Sequence, residues 1–354
     1  MAIVTQNQEI IKDDTGSMHY SLCDGCRLCH QGAKMVLFIT GLCGRDCFYC
    51  PISSERKNVD SAYANERKVE SDQDVLEEAR GMDALGTGIT GGEPLARLER
   101  TLHYIRLLKA EFGRQHHIHL YTCTAPSREI LLQLKEADLD ELRMHPPEDL
   151  WDHFYGSKYH ESLKQAIEIG LSAGIEIPAI AKVPEIERAV IETGAFLNLN
   201  ELEFSDTNSA GMKQQGYRLR DDVSNAVQGS ETLAHEIVLN SKANIRYCSS
   251  RFKDAIQLRQ RLKRTASRMA RSFDEITDDG TIVYGEIRGD LAKAQTAIEK
   301  LGVPQDMYAC IGKERIEIAW WILDDITEEL AGFEKSIVER YPLKDGLVVE
   351  RIPL

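Results

Sequence analysis

Three cysteines near the start of the chain are spaced like ligands to one iron–sulfur cluster. Cys43, Cys47 and Cys50 form a C-x3-C-x2-C pattern directly after the apolar run 35–40, which predicts a strand followed by a loop. A [4Fe–4S] cluster normally takes four cysteine ligands, so three thiolates on one loop would leave one iron able to bind a small molecule. A zinc loop or reduced core cysteines are the alternatives. Zinc would need a fourth nearby Cys or His, and residues 51–60 contain neither.

A second group of cysteines lies upstream of this loop. Cys23, Cys26 and Cys29 have C-x2-C-x2-C spacing, which is similar to part of a ferredoxin cluster run. The spacing predicts an auxiliary iron–sulfur cluster of the [4Fe–4S] type that needs a fourth ligand. His30 and Cys248 are the candidates, and we expect Cys248, although buried cysteines without a ligand role are common. A structural zinc knuckle is the other interpretation of the group.

Forty residues after the first cysteine loop, the stretch Gly88–Leu95 contains the run Gly91-Gly92-Glu93-Pro94. Together, the loop and this run resemble the radical S-adenosylmethionine (radical SAM) superfamily over about residues 34–210. Within the superfamily, the chain is most similar to archaeal and bacterial proteins related to pyruvate formate-lyase activating enzyme and other glycyl-radical activating enzymes.

The resemblance implies two cofactors, a [4Fe–4S] cluster and S-adenosyl-L-methionine (SAM). The open iron would chelate the amino and carboxylate groups of SAM. The carbonyls of Gly91 and Gly92 and the carboxylate of Glu93 would bind its ammonium group by charge-assisted hydrogen bonds, and the two glycines would allow close backbone approach. Tyr49 would pack near the adenine.

Further contacts are expected at the ends of later strands. Arg143 and the nearby His145 would bind the methionine carboxylate or serve the substrate. Glu176 would contact the ribose or carboxylate, as would one polar group after the sixth strand: Glu203, Ser205 and Asn208. Cys123, at the end of the third strand, could contact the cofactor or substrate, but we interpret it as a plain strand cysteine. We interpret Cys310 as a core residue. No catalytic residue is assigned.

The elements that position these residues follow a regular alternation. Strand-like runs separated by amphipathic stretches lie at 35–40, 87–90, 117–121, 140–144, 175–181 and 200–204. Such alternation is typical of parallel βα units in an α/β fold. Six units would form the partial (βα)6 barrel that the resemblance implies. Chemistry in such barrels lies at the carboxyl ends of the strands, where both motifs fall.

The sequence predicts four segments: an N-terminal arm with the auxiliary motif (1–33), the barrel (34–245), a basic linker helix (246–279) and a C-terminal domain (280–354). In the last of these, strands at 281–287, 307–311, 315–322 and 346–352 and helices at 291–301 and 325–340 give the order βαββαβ. That order predicts a ferredoxin-like α+β domain. Residues 251–271 hold eight basic residues and one acid at helical spacing. They could form a solvated linker helix or a binding surface.

Charge and composition limit the possible partners. The net charge of −14 argues against broad, non-specific nucleic-acid binding, although a local basic patch remains compatible with it. The first residues lack a signal peptide and no apolar run is long enough for a membrane helix, so we expect a cytoplasmic protein. Clustered cysteines in such a chain indicate metal or redox chemistry in a reducing, anaerobic setting.

These features predict a radical SAM enzyme that acts on a protein or peptide, as an activase or maturase. Such an enzyme would reductively cleave SAM to methionine and a 5′-deoxyadenosyl radical that abstracts hydrogen from the substrate. A reduced flavodoxin- or ferredoxin-type protein would supply the electron. Two alternatives stay open: a radical SAM enzyme that modifies RNA, such as tRNA, through residues 251–271, and a non-enzymatic Fe–S or zinc scaffold.

Overall fold

A computed structural model describes residues 9–343 and 346–354. These residues divide into two compact units. The first contains residues 9–80 and 84–257, and the second contains residues 81–83 and the described part of 258–354. Each unit has its own β-sheet.

The sheet of the first unit has eleven strands in the described part of the chain. They are β1 (Ile11–Lys12), β2 (Met18–His19), β3 (Lys34–Phe38), β4 (Ala62–Ala64), β5 (Arg67–Val69), β6 (Gly86–Thr90), β7 (His117–Thr122), β8 (Glu141–Met144), β9 (Ser172–Pro178), β10 (Phe196–Asn200) and β11 (Asn244–Cys248). Their order in the sheet is β1-β2-β11-β10-β9-β8-β7-β6-β3-β4-β5. The seven central strands, from β11 to β3 in this order, are parallel, and the flanking strands pair antiparallel.

Helices connect the parallel strands, as expected for βα units. They are α1 (Asp24–His30), α2 (Asp72–Gly81), α3 (Leu98–Phe112), α4 (Arg128–Glu136), α5 (Lys158–Glu168), α6 (Pro184–Thr193), α7 (Ser209–Gln214), α8 (Ser230–Asn240) and α9 (Ser250–Phe252), with 3-10 turns at Pro94–Arg97 and Glu148–His153. Local signals set several starts. The side chains of Ser127 and Ser157 accept hydrogen bonds from the N–H groups of Ile130 and His160. Pro184 occupies the first position of α6.

Side chains on the parallel strands alternate between two different faces. One face is apolar and buried: Ile118, Leu120, Leu142, Ile175, Leu197, Leu199 and Ile245. The other face is polar: His119, Tyr121, Glu141, Arg143, Glu176, Asn198 and Arg246. Helix α1 packs on the polar face, where the N–H of Gly25 donates to Oε2 of Glu141 (3.3 Å). The polar face therefore surrounds the Cys23 group.

The parallel sheet is one strand larger than predicted. β11 pairs with β10 from Asn244 to Cys248, so the first unit extends to residue 257 and does not end at 245. β10 also lies earlier than the predicted run 200–204. Both strands alternate apolar and polar residues, and neither forms the continuous apolar run that marks a strand buried on both faces. The polar residues are needed because they face the interior site.

The predicted N-terminal arm is part of the first unit, in its described portion. β2 pairs antiparallel with Arg246 and Tyr247 of β11, and α1 packs on the polar face of the sheet. Residues 1–8 of the predicted arm lie outside the described residues. The predicted linker helix 246–279 is not one element either. It includes the end of β11, α9, a π-helical segment at Lys253–Leu258, α10 (Arg259–Met269) and β12 (Glu275–Ile276).

The second unit is an antiparallel sheet with two helices after its first and third long strands. Its further elements are β13 (Ile282–Arg288), α11 (Leu291–Lys300), a 3-10 turn at Gln305–Met307, β14 (Tyr308–Ile311), β15 (Arg315–Ile318), α12 (Trp320–Asp325), β16 (Glu334–Arg340) and β17 (Val348–Pro353). The sheet order is β14-β15-β13-β16-β17, with β12 beside β13. Its core is apolar: Ile287, Ala294, Ile298, Ile316, Ile318, Leu323 and Leu330.

One long element of the second unit was predicted wrongly. Residues 325–340 were expected to form a helix, but Glu334–Arg340 form β16 and pair with β13 along its whole length. Burial of Ser336 and Val338 at alternate positions is the strand pattern that the prediction missed. The order βαββαβ is therefore completed by β16, and β17 is an additional edge strand. Cys310, expected in the core, is exposed on β14.

Candidate active site

The cysteine loop after β3 lies at the carboxyl ends of the parallel strands. The side chains of Cys43, Cys47 and Cys50 line one cavity of about 380 Å³. Gly91 and Gly92, after β6, line the same cavity. Further lining residues come from neighbouring strand ends and from the segment after β11: Tyr121, Cys123, His145, Glu176, Asn200 and Lys253. The cysteine loop and the Gly-rich run thus share one cavity, at the edge of the sheet where βα folds place their chemistry.

The Gly-rich run is hydrogen-bonded to the start of the cysteine loop. The N–H of Gly92 donates to the carbonyl of Thr40 (2.7 Å), and the N–H of Glu93 donates to that of Leu42 (2.7 Å). A Cβ on Gly91 would lie 2.6 Å from the oxygen of Thr40. A Cβ on Gly92 would likewise collide with the loop backbone. The glycines are therefore needed for backbone packing, a reason that the sequence analysis did not anticipate.

The opposite side of the cysteine loop is held by two other segments. The N–H of Gly41 donates to the carbonyl of Val59 (2.8 Å), and the N–H of Asn58 donates to that of Gly41 (2.9 Å). The side-chain amide of Asn208 donates to the carbonyl of Tyr49 (3.1 Å). Asn208 was predicted to contact the cofactor, but its amide supports the loop backbone. Hydrogen bonds within the protein thus hold the loop backbone on both sides.

The other two predicted residues of this segment also have protein partners. The N–H of Ser205 donates to Oδ1 of Asn208 (2.7 Å). Glu203 forms an ion pair with Lys253. Lys253 lines the cavity and was not identified from the sequence, because it lies on the π-helical segment far from either motif. Glu203 lines the cavity as well, so this ion pair is part of its wall.

The carboxylate of Glu93 is engaged within the protein. Glu93 is 4% exposed. Its oxygens accept from the N–H of Leu95 (2.9 Å), the hydroxyl of Thr122 (2.8 and 3.0 Å) and the N–H of Cys123 (2.7 Å). Hydrogen bonds to a charged acceptor are stronger than neutral ones, so Glu93 ties the end of β6 to the end of β7. Its direct contact with an ammonium group stays a prediction.

Tyr49 is fixed by a relay of two hydrogen bonds. One nitrogen of His145, Nδ1, lies 2.8 Å from the carbonyl of Glu176 and must donate to it. In the neutral ring, Nε2 then accepts from the hydroxyl of Tyr49 at 2.9 Å. Burial lowers the pKa of His145 and raises that of Tyr49, which favours the neutral forms of both. The relay places the Tyr49 ring against the cavity.

A fourth thiol lies beside the cysteine loop. The Sγ atoms of Cys43 and Cys123 are 3.7 Å apart. The hydrogen bond from Cys123 is the main reason that the pKa of Cys43 falls to about 6. The carbonyl of Cys123 accepts from the buried hydroxyl of Tyr159 (2.6 Å), which in turn accepts from Arg45 (2.6 Å). Cys123 was interpreted as a plain strand cysteine, and only its position at a strand end could have identified it.

Arg143 makes its contacts within the protein. It precedes His145 by two residues on the same strand face and therefore lies one strand repeat deeper. Its guanidinium donates to Glu141 (2.6 Å) and Glu176 (2.8 Å) and approaches the thiol of Cys23 (3.3 Å). Its contact with the methionine carboxylate or the substrate stays a prediction.

Glu176 lies between two cavities. Its carboxylate accepts from the side-chain amides of Asn198 (3.0 Å) and Asn200 (2.9 Å) as well as from Arg143. It lines the cofactor-type cavity described above and a second cavity of about 200 Å³. Its predicted contact with the ribose or carboxylate stays a prediction.

The second cavity brings together most of the predicted auxiliary ligands. Cys26, Cys29 and Cys248 all line it. Cys23 lies next to Cys26, since the two thiols form a hydrogen bond. His30, the alternative fourth ligand, instead packs on the ring of Phe252 with centroids 4.3 Å apart. Cys248 thus lines the cavity together with Cys26 and Cys29, and His30 is not among its lining residues; the fourth ligand stays a prediction.

Positive charge surrounds these thiols. The pKa of Cys26 is lowered to about 5, first by the hydrogen bond with Cys23 and then, against the effect of burial, by Arg246 and Arg143. The guanidinium of Arg246 lies 3.6 Å from the Sγ of Cys248. Thiolates are the forms that bind metals, so this environment favours the ligand form of Cys26, whereas burial raises the pKa of Cys29 and of Cys248.

Both groups of thiols fit a cluster. Among the described residues, no three His, Cys, Asp or Glu side chains are arranged around the position of a single metal ion. In a [4Fe–4S] cluster each thiolate binds a different iron, so its ligands surround a cavity. Cys43, Cys47 and Cys50 are arranged in this way around the first cavity, and Cys26, Cys29 and Cys248 around the second.

This combination of a parallel βα sheet, a three-thiol loop and a packed glycine run is that of a radical SAM protein, and sequence comparison supports it. The family model described as "Radical SAM superfamily" matches residues 37–180. Residues 280–354 match a model described as "Domain of unknown function (DUF8061)".

A relative extends the match over nearly the whole chain. It is named "Putative glycyl-radical enzyme activating enzyme" and comes from Methanocaldococcus jannaschii. The two are 38% identical over 352 residues, which cover 94% of this chain and 92% of the relative. The chain therefore belongs to the radical SAM superfamily and is a radical SAM enzyme. Membership implies a [4Fe–4S] cluster and SAM as cofactors.

Similarity to a solved structure is weaker. Methylornithine synthase is similar with a TM-score of 0.40 and 14% identity, covering 61% of this chain and 71% of that chain. Among the described residues, no helix is long and apolar enough to span a membrane.

Proposed function

We propose that this enzyme reductively cleaves SAM and uses the resulting 5′-deoxyadenosyl radical to take hydrogen from a protein or peptide substrate. Its role would be that of an activase or maturase. The observation that carries the proposal is the shared cavity of Cys43, Cys47, Cys50 and the Gly91–Gly92 backbone in a radical SAM enzyme. A protein substrate is supported by the name of the 38% identical relative, an activating enzyme.

Each lining residue has a proposed task. The three loop thiolates hold the cluster, which supplies the electron for cleavage once it is reduced by a flavodoxin- or ferredoxin-type protein. The carbonyls of Gly91 and Gly92 accept hydrogen bonds from the ammonium group of SAM. The ring of Tyr49, fixed through His145, packs against the adenine. The remaining chain residues shield the radical from water, which is the usual division of work between protein and cofactor.

We further propose a second [4Fe–4S] cluster, bound by Cys23, Cys26, Cys29 and Cys248. Supporting it are the cavity that three of these residues line and the two guanidinium groups near them. Such a cluster suits electron transfer or substrate coordination. For the second unit, we propose the ferredoxin-like class, because its antiparallel strand order β14-β15-β13-β16 has the βαββαβ connectivity.

The RNA alternative depends on the basic residues after 250. Several of them already have acidic partners: Arg259 with Asp279 (3.0 Å), Lys263 with Asp278 (3.3 Å) and Arg264 with Asp83 (2.8 Å). Paired cations contribute less to phosphate binding, so we favour the protein substrate. An RNA enzyme would bind RNA with salt-sensitive affinity. That affinity would be lost when four residues become Glu: Arg259, Arg261, Lys263 and Arg264.

The first test is cofactor cleavage by the anaerobically reconstituted full chain. With SAM and a strong reductant, 5′-deoxyadenosine should appear in mass spectra. Cys47→Ala should abolish it, whereas Cys310→Ala, a change of an exposed thiol in the second unit, should not. Iron should be near eight per chain, as two four-iron clusters would give (about four irons each). Metal binding without any cleavage in the wild type would favour the scaffold alternative.

The second test identifies the class of substrate by isotope transfer. Cell lysate from a culture grown with deuterated amino acids is added to the reaction, and 5′-deoxyadenosine is analysed for deuterium. A protein substrate predicts label in the product, which protease treatment of the lysate removes. Label that comes instead from deuterated nucleosides, and that nuclease removes, would contradict the protein proposal and support RNA.

A further inference from the structure

The second cavity contains a buried arginine with an incomplete set of partners. Arg246 is 5% exposed and lines the cavity. Its Nε has no hydrogen-bond partner. Its Nη2 lies 3.6 Å from the Sγ of Cys248 and 3.4 Å from Nε2 of His30, and its guanidinium lies over the ring of Phe252 at 5.2 Å. None of these groups is a carboxylate.

The other buried arginine of this site is different. Arg143 donates to the carboxylates of Glu141 and Glu176, which balance its charge within the protein. In the described part of the chain, Arg246 has no carboxylate at ion-pair distance. Glu176, which lines the same cavity, is already engaged by Arg143 and two amides. The two guanidinium groups and the two carboxylates balance in number, but both carboxylates bind Arg143, so Arg246 has no direct carboxylate partner among the described residues.

A buried charge without a partner is costly, so such groups are paired with an opposite charge or bound ion. The groups that share the cavity with Arg246 are sulfur atoms: its Nη2 lies 3.6 Å from the Sγ of Cys248, and Cys26 and Cys29 line the same cavity. A four-iron cluster held by four thiolates is anionic overall, and reduction by one electron makes it more so. The geometry of Arg246 therefore suits an anionic cluster in the cavity better than neutral thiols or a core filled by side chains.

We propose that Arg246 is the counter-charge of the auxiliary cluster and sets its reduction potential. The inference rests on the proposed second cluster and goes beyond it, because it assigns a role to a residue that binds neither iron nor SAM. In this scheme Arg246 acts on the cluster through its charge and is not a catalytic residue. The potentials of iron–sulfur clusters depend on the charges and hydrogen bonds around their sulfur atoms. A cation beside a ligand thiolate stabilises the reduced, more negative state.

The location of the cavity makes this potential relevant to the enzyme. The second cavity shares four wall residues with the cofactor cavity: Tyr121, Glu176, Asn200 and Lys253. Its other lining residues, such as Asn198 and Arg246, lie nearer the amino ends of their strands. A cluster there is separated from the cofactor cavity by a single layer of side chains. A less negative potential would let it hold an electron close to the SAM site.

The test uses the full chain with Cys43, Cys47 and Cys50 changed to Ala, so that only the second site can hold a cluster. In this background we compare Arg246→Gln, Arg246→Lys and the control Arg67→Gln. Arg67 is an ion-paired arginine on β5, at the opposite edge of the sheet. Iron per chain is counted, and the midpoint potential is measured by anaerobic redox titration followed by electron paramagnetic resonance.

The parent should hold about four irons. Arg246→Gln should shift the midpoint to a more negative potential, at least tenfold in the reduction equilibrium, which is about 59 mV for one electron. Arg246→Lys keeps the positive charge, so its midpoint should lie close to that of the parent. Arg67→Gln should leave the midpoint unchanged. If Arg246→Gln prevents cluster binding while Arg246→Lys retains it, the role as counter-charge is also supported.

Other results would overturn the proposal. An unchanged midpoint in Arg246→Gln would show that the charge is not coupled to the cluster. Loss of the cluster in both Arg246 variants would indicate a purely structural role. A parent without iron would remove the second cluster and the counter-charge together. The main proposed function is tested separately, by 5′-deoxyadenosine formation in the wild type, and can stand if this inference fails.

Discussion

Replacing Gly92 by Ala should destabilise the protein even without cofactors. The new Cβ would lie 2.7 Å from the carbonyl oxygen of Gly41, and closer still to that of Leu42. Ordinary contacts begin at 3.4 Å, so the loop would have to move by at least 0.7 Å (3.4 − 2.7). Overpacking of this kind costs about 1–3 kcal/mol. Strain on the hydrogen bond from Glu93 to Leu42 adds about 1 kcal/mol.

The assay is urea-induced unfolding of the reduced apoprotein under anaerobic conditions, followed by iron counting after reconstitution. We expect Gly92→Ala to lower the free energy of unfolding by about 2–4 kcal/mol and to reduce the iron held by the Cys43 loop. The matched control is Gly44→Ala in the same loop, where a Cβ would meet no atom within 4 Å. It should change stability by less than about 0.5 kcal/mol.

The opposite pattern would refute this reasoning. If glycine at position 92 serves only the approach of SAM, Gly92→Ala apoprotein would unfold like the wild type and retain its iron, while SAM binding alone would weaken. Measuring SAM affinity on the same samples separates the two explanations. An effect of equal size in Gly44→Ala would mean that the loop tolerates no added side chain, whatever its contacts.

Three further substitutions test the supports of the site. Glu93→Gln should lower the free energy of unfolding by about 1.5–3 kcal/mol, because an amide presents a donor to the N–H of Cys123; a stability equal to wild type in urea unfolding would contradict it. Tyr49→Phe should lower the free energy of unfolding by about 1–3 kcal/mol, because Nε2 of His145 is left unpaired. Thermal unfolding measures this loss, and a midpoint equal to that of the wild type would contradict it. Asn208→Ala should release the loop carbonyl of Tyr49 and speed iron loss to a chelator; an unchanged rate would count against this support.

The fold was largely readable from the sequence where the signals are local. Hydrophobic runs bounded by turn residues located β3, β6, β7, β8 and β9, whereas the short strands β4 and β5 were not predicted. The prediction failed at β10 and β11, whose polar residues face the interior and break the apolar run. It also failed at β16, where charged residues at Glu334 and Glu339 gave a helix-like composition. In these strands tertiary contacts, and not local propensity, set the structure.

The candidate site also has a part that the sequence predicts and a part that it does not. Cys43, Cys47 and Cys50 lie within eight residues, so a short loop brings them together in almost any fold, and their spacing alone predicts a cluster. Cys248 meets Cys26 only because β11 lies at the sheet position that faces α1. The number of residues between two cysteines does not show whether they are close in the folded protein.

The cysteine spacing and the Gly91–Glu93 run are local properties of the chain, so the sequence alone indicates radical SAM chemistry. The role of each neighbouring residue depends on the three-dimensional fold. Arg143 was expected at the cofactor and lies a strand repeat deeper, while Glu93 and Asn208 hold the backbone that carries the site. Arg246, which no motif marks, faces the thiols. These roles depend on strand order, register and depth, which arise when distant segments pack together and which no short stretch of sequence encodes.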